Sequence, residues 1–158
     1  MSRLRRTVSA LIAGLGLVAV TVVVAEPAYA GSAPNGCTTV RQLGSTHYVT
    51  GPDGTVAASM KQFIGDCVSG QRNWAYVWIW DQARAKWDVR VDSIAIAAKI
   101  DGTWVTKGLR WGGKGEREVL SDPTATVPYC TYAFGWIGFY DSTGGRYVSV
   151  QGYTATVC

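Results

Sequence analysis

This chain of 158 residues has one histidine and two methionines, and only 16% of its residues are charged. With His47 alone, no histidine cluster can hold zinc. Serine hydrolysis would need the same His47 beside an activated serine, and no G-x-S-x-G elbow occurs. A calcium loop of the D-x-D-x-D-G type is missing as well, because Asp81, Asp88 and Asp92 are too far apart and lack its glycine. Beyond the N-terminal stretch no segment keeps a 3.6-residue apolar period, which argues against a helical core. These gaps point away from metal, cofactor and nucleophile chemistry, and no cofactor and no metal are expected.

What the chain does have is an export signal. Residues 1–30 carry Arg3, Arg5 and Arg6, an apolar stretch from Ala10 to Ala25, and Ala28-Tyr29-Ala30 as a small-residue cleavage site. The apolar stretch is short for a membrane span and the site is well formed, so the expectation is a cleaved signal and no membrane anchor. The Arg5-Arg6 pair lacks a strong twin-arginine consensus after it, which favours export of the unfolded chain. No lipobox precedes Cys37. Cleavage after Ala30 leaves residues 31–158 as one secreted, extracellular domain, in a setting where paired cysteines persist and thiol chemistry does not.

The signal holds three arginines and Glu26, so 12 basic and 10 acidic residues remain and nearly balance. Nucleic-acid binding needs a clustered basic face, and this balance gives it no support.

Turn signals recur along 31–158, and the segments between them are rich in Val, Ile, Thr, Trp and Tyr. That is the pattern of an all-β protein, read here as a single-domain antiparallel β-sandwich stapled by two disulfides. Gly51-Pro52-Asp53-Gly54 predicts a hairpin between Thr46–Thr50 and Thr55–Ser59. Asp101-Gly102 predicts a two-residue turn from Ser93–Ile100 into Thr103-Trp104-Val105-Thr106. From Trp74 the even positions Trp74, Tyr76, Trp78 and Trp80 are aromatic, while Ala75, Val77 and Ile79 are aliphatic. Such a strand has two apolar faces and must be central or covered on both sides. The pattern returns at Phe134, Trp136 and Tyr140, with Gly135, Ile137 and Phe139 on the other face and Gly138 where Trp78 would stand. Trp80-Asp81 then Lys86-Trp87 matches Tyr140-Asp141 then Arg146-Tyr147, which suggests a weak internal repeat of a hairpin.

Placed on these hairpins, with Ser142-Thr143-Gly144-Gly145 as the second turn, Cys37 opposes Cys67 and Cys130 opposes Cys158, each to within one position. A single β-bulge or a longer loop absorbs such an offset. Opposed strand positions have Cα separations that suit a disulfide. Of the three connectivities open to four cysteines, the expected one is Cys37–Cys67 with Cys130–Cys158.

Two binding features stand out. Lys107-Gly108-Leu109-Arg110-Trp111-Gly112-Gly113-Lys114-Gly115 is either a flexible connection or a contact loop, with Trp111 as anchor and Arg110 and Lys114 as clamps, since Trp and Arg are over-represented at binding hot spots. The seven tryptophans are more than one small sandwich buries easily. If Trp78 and its stripe, or the Trp136 face beside it, are exposed, they form a platform for sugar rings or a protein partner. A carboxylate hydrolase would use Glu116 and Glu118, which share a face if 116–120 is a strand, in a cleft near Arg117, whereas a small ribonuclease would need His47, Arg117 and Glu118 to meet.

In signal, size and cysteine number the chain resembles small exported proteins of actinobacteria, a group that includes protease inhibitors and the adaptor subunits of secreted umbrella-shaped toxin particles. The resemblance carries no site residues across. The missing catalytic constellation, the small size, the disulfide staples and the surplus of aromatics give the main expectation: a bacterial, non-enzymatic module that binds another secreted protein, as an adaptor in an extracellular, toxin-type complex or as an inhibitor. The rivals are a carbohydrate or cell-wall binding module and a small secreted hydrolase.

Overall fold

The computed structural model describes residues 33–141 and 145–158; the expected export signal at 1–30, residues 31–32 and the first three residues of the expected Ser142–Gly145 turn lie outside the described residues. Eight strands and one short helix follow in the order β1 (Cys37–Thr50), β2 (Val56–Cys67), β3 (Gly70–Ile79), α1 (Asp81–Lys86), β4 (Asp88–Ile100), β5 (Thr103–Arg110), β6 (Glu118–Leu120), β7 (Thr131–Tyr140) and β8 (Tyr147–Tyr153). They form two antiparallel four-stranded sheets, β1-β2-β3-β6 and β5-β4-β7-β8. The predicted all-β sandwich is therefore the observed architecture.

Alternation builds the core. Val49, Met60, Val77 and Ile79 of the first sheet meet Ile94, Ile96, Ile137 and Phe139 of the second in one buried cluster. Gly135 and Gly152 are direct cross-strand partners. A Cβ at either would stand 3.2–3.3 Å from Met60 Cε, and at Gly135 only 2.5 Å from Ser93 O, so bare backbone lets the sheets close here.

The two predicted hairpins are present. Asp101 (φ 48°) and Gly102 (φ 80°) make the two-residue turn that sets Ile100 opposite Thr103. Both disulfides form as expected, Cys37–Cys67 and Cys130–Cys158, and no cysteine is free. The pairing points to an oxidising, extracellular environment. Cys37 and Cys67 are direct partners, but the β1–β2 register shifts at three places and not at one. Two of these coincide with left-handed backbone at Thr39 (φ 50°) and Gly44 (φ 67°). Among the described residues no helix is long and apolar enough to cross a membrane.

The repeat of two hairpins does not hold. Tyr140 pairs with Tyr147 across a true β7–β8 hairpin, whereas β3 runs into α1 and then into β4 of the other sheet. The physical reason is composition: Gln82-Ala83-Arg84-Ala85-Lys86 are helix formers without glycine, and Asp81 and Lys86 suit the helix ends. What survives is equivalence of position, since β3 and β7 are each interior strands that bury one aliphatic face in the common core.

Candidate functional site

The second apolar face of β3 is not a platform. Trp74 and Tyr76 are buried with Phe63 on the outer side of the first sheet, the rings 6.2 Å and 5.6 Å from that of Phe63. Trp78 lies further along, half-buried, with the Arg117 guanidinium 4.3 Å above its ring. Arg117 is in turn paired with Asp81 at the start of α1. Trp78 and Trp136 are thus not side by side: they lie on the outer surfaces of opposite sheets, because β3 and β7 belong to different layers.

The paired-carboxylate arrangement is not formed either. Only Glu118 is in β6; Glu116 sits in the preceding turn and accepts the Gly113 N–H at 2.9 Å. The Glu116 N–H closes this turn onto Gly113 O at 3.3 Å and the strand begins only at Glu118, so the two glutamates do not share a strand face. His47 stacks on Tyr153 at the β1/β8 edge, ring centroids 5.7 Å apart. Among the described residues no three His, Cys, Asp or Glu side chains converge as a metal site would require.

The outer surface of the β5-β4-β7-β8 sheet is where exposed rings gather. Trp104, Trp136, Tyr147 and Tyr153 are all exposed there, with Tyr132, Phe134 and Tyr140 among them. The small side chains of Ala95 and Ala97 on β4 leave room for these rings to lie over the neighbouring strand. Trp104 meets Tyr132 edge-on at 4.8 Å and 66°, Tyr132 meets Phe134 at 56°, and Tyr140 meets Tyr147 at 40°. A shallow depression of about 480 Å³ opens at one end between Tyr132, Gln151 and Tyr153.

The glycine-rich loop joins this surface. It is not a loose connection: Gly112 donates to Val91 O at 2.9 Å and lies against Val91 and Val119, where a Cβ would stand 3.0 Å from each. Because neighbouring residues of an extended chain face opposite sides, Trp111 is turned outward, and it is 67% exposed. Ile94 faces Arg110, which brings Trp111 beside Ser93, and Ser93 faces Trp136. Two tryptophans, the second 41% exposed, therefore flank a serine two strand spacings apart, about 10 Å.

The clamps behave differently from each other. Arg110 is exposed at the margin of a depression it shares with Leu120 and Pro123. Lys114 is tied 3.4 Å from Asp88. Hydrogen bonding from Arg90, with Lys114 adding to it, holds the Asp88 carboxyl below its usual range.

Sequence reasoning did not find Asp92. It is the extra residue of a β-bulge between Val91 and Ser93, and the bulge aims its carboxylate onto the outer surface, where the hydroxyls of Tyr147 and Ser149 donate to it. Its only trace in the sequence is Gly138, whose missing side chain leaves the space that Asp92 and Tyr147 fill.

The chain matches no known protein family, no curated protein and no solved structure.

Proposed function

We propose that the protein is a secreted, non-enzymatic protein-binding module, an adaptor subunit of an extracellular assembly or an inhibitor, that docks through the outer surface of the β5-β4-β7-β8 sheet around Trp111 and Trp136. The observation that carries this reading is the exposure of Trp111 on a hydrogen-bonded loop. Leaving a tryptophan in water forgoes roughly 2–3 kcal/mol of burial, and a pinned backbone that holds it there is accounted for by a partner that covers it. Neighbouring ring pairs on the same sheet surface, Trp104–Tyr132, Tyr132–Phe134 and Tyr140–Tyr147, are tilted by 40–66° to each other, which suits a contoured protein surface better than a flat sugar face.

A carbohydrate reading keeps one specific support: the exposed Trp136 ring has the Asp92 carboxylate and the Ser149 hydroxyl in the next row of the same surface. The two readings separate in one experiment. The tagged, secreted protein is purified from the culture fluid of its producer, beside Trp111→Ala and Trp136→Ala. Stoichiometric recovery of a second exported protein that both variants lose is the expected result. Recovery of the protein alone overturns it and makes a glycan array the next step.

A further inference from the structure

The four sheet edges are not equivalent. β1 is broken by three register shifts, β6 is three residues long, and β8 lies against β1 through the Tyr153–His47 stack. β5 keeps a constant register with β4 from Thr103 to Lys107 and shifts only beyond it, between Lys107 and Arg110. The two-residue turn makes Ile100–Thr103 a hydrogen-bonded pair, so by alternation Val105 and Lys107 bond to β4 while Trp104 and Thr106 turn their N–H and C=O groups to the open edge. Gly108 belongs to the same outward set, and its carbonyl accepts the Asp122 N–H at 3.0 Å. The chain itself thus begins a pairing at this edge and leaves the next two outward residues without a strand partner among the described residues.

Resting on the protein-binding reading above, we infer that β5 is an acceptor edge, and that an extended acidic segment of the partner adds to it as a further strand alongside Trp104 and Thr106. Charge selects the occupant. β5 and its continuation carry Lys107, Arg110 and Lys114 with no acidic residue between Thr103 and Gly115, and neither Lys107 nor Arg110 has an ion-pair partner among the described residues. Lys107 faces the core side of an edge strand, a placement that discourages edge-to-edge self-pairing. A second copy would bring Lys107 and Arg110 against their own kind; aspartate or glutamate at alternate positions of an incoming strand would meet them favourably. The added strand would lie next to Trp104 and Trp111, so edge and aromatic surface serve one partner.

A random heptapeptide display library panned against the secreted protein tests this. The expected winners alternate acidic and apolar residues and lose at least tenfold in affinity on Thr106→Pro, which removes an outward N–H and leaves the β4 pairing intact. In the unsubstituted protein, a bound winner should slow hydrogen exchange at the Trp104 and Thr106 amides and leave Val105 and Lys107 as they were, a readout that does not depend on the variant folding. Absence of winners, or winners that protect neither amide, overturns the edge. Winners lost on Trp136→Ala but retained on Thr106→Pro also overturn it while leaving the protein-binding surface standing; retention by both variants counts against both.

Discussion

The Tyr147 hydroxyl donates a hydrogen bond to the Asp92 carboxylate over the bare Cα of Gly138. Ser149 donates to the same oxygen at 3.0 Å. The bond to Asp92 stabilises the protonated phenol and raises the Tyr147 pKa above its ordinary value of 10. The folded state therefore holds this proton more tightly than the unfolded chain does. Its contribution to stability is intact below pH 10 and is lost as the pH climbs through the raised value. Thermal melts on the alkaline side should show a steeper decline for the unsubstituted protein than for Tyr147→Phe; equal slopes would refute the linkage.

Gly138 is the position that permits this contact. A Cβ there would stand 2.6 Å from the Tyr147 ring and 2.8 Å from both Asp92 oxygens. Gly138→Ala should cost about 1–3 kcal/mol through this overpacking. It should also push Tyr147 off Asp92, so that tyrosinate absorbance shows this residue titrating closer to the ordinary range.

At the opposite extreme of pH the sensitive group is Asp53, in the β1–β2 turn. Its carboxylate accepts from Lys86 Nζ at 2.8 Å and from the Thr55 hydroxyl and N–H. These bonds, that of Lys86 foremost, hold its pKa far below the usual carboxylate range. A depressed folded-state pKa contributes stability above the unfolded value near 3.8 and loses it as the pH falls further. Asp53→Asn should therefore melt with a shallower acid dependence below pH 4 than the parent, and an unchanged profile would show that the turn does not carry the effect.

These two sites differ in how far the sequence foretold them. Asp53 stands in Gly51-Pro52-Asp53-Gly54, whose turn chemistry is local and therefore readable. The Cys130–Cys158 pair was readable for the same reason, since the β7–β8 register is constant from Tyr140–Tyr147 to Phe134–Tyr153 and shifts once before Thr131–Val157. Asp92 was not, because a bulge is defined by a partner strand far away in sequence. Nor does alternation say what covers a face: it put Trp78 and Trp136 on the aromatic faces of their strands without saying which face is exposed, and only packing left one under Arg117 and the other in water.

The covalent staples close loops of 30 and 28 residues, one at the root of the β1–β2 hairpin and one at the C-terminal residue. Each restricts the unfolded chain, and Cys130→Ser with Cys158→Ser should cost roughly 2–5 kcal/mol. Melting under oxidising conditions measures it. A melting temperature equal to that of the parent would mean that this bridge contributes nothing to the stability of the folded state.

Trp111 and Trp78 offer the sharpest contrast, because the same truncation should act on different properties at the two positions. Trp111 is mostly in solvent and its loop is held by Gly112, not by its ring. Trp111→Ala should change stability by no more than about 0.5 kcal/mol and cost at least about 2 kcal/mol of partner binding, roughly thirtyfold. Trp78 supports the Arg117–Asp81 pair that ties β6 to α1. Trp78→Ala should cost about 2–3 kcal/mol of stability and leave partner affinity unchanged once the protein is folded. Chemical denaturation and titration calorimetry on both variants separate the cases. If Trp111→Ala unfolds the protein, or Trp78→Ala abolishes binding at full fold, the docking surface has been assigned to the wrong sheet.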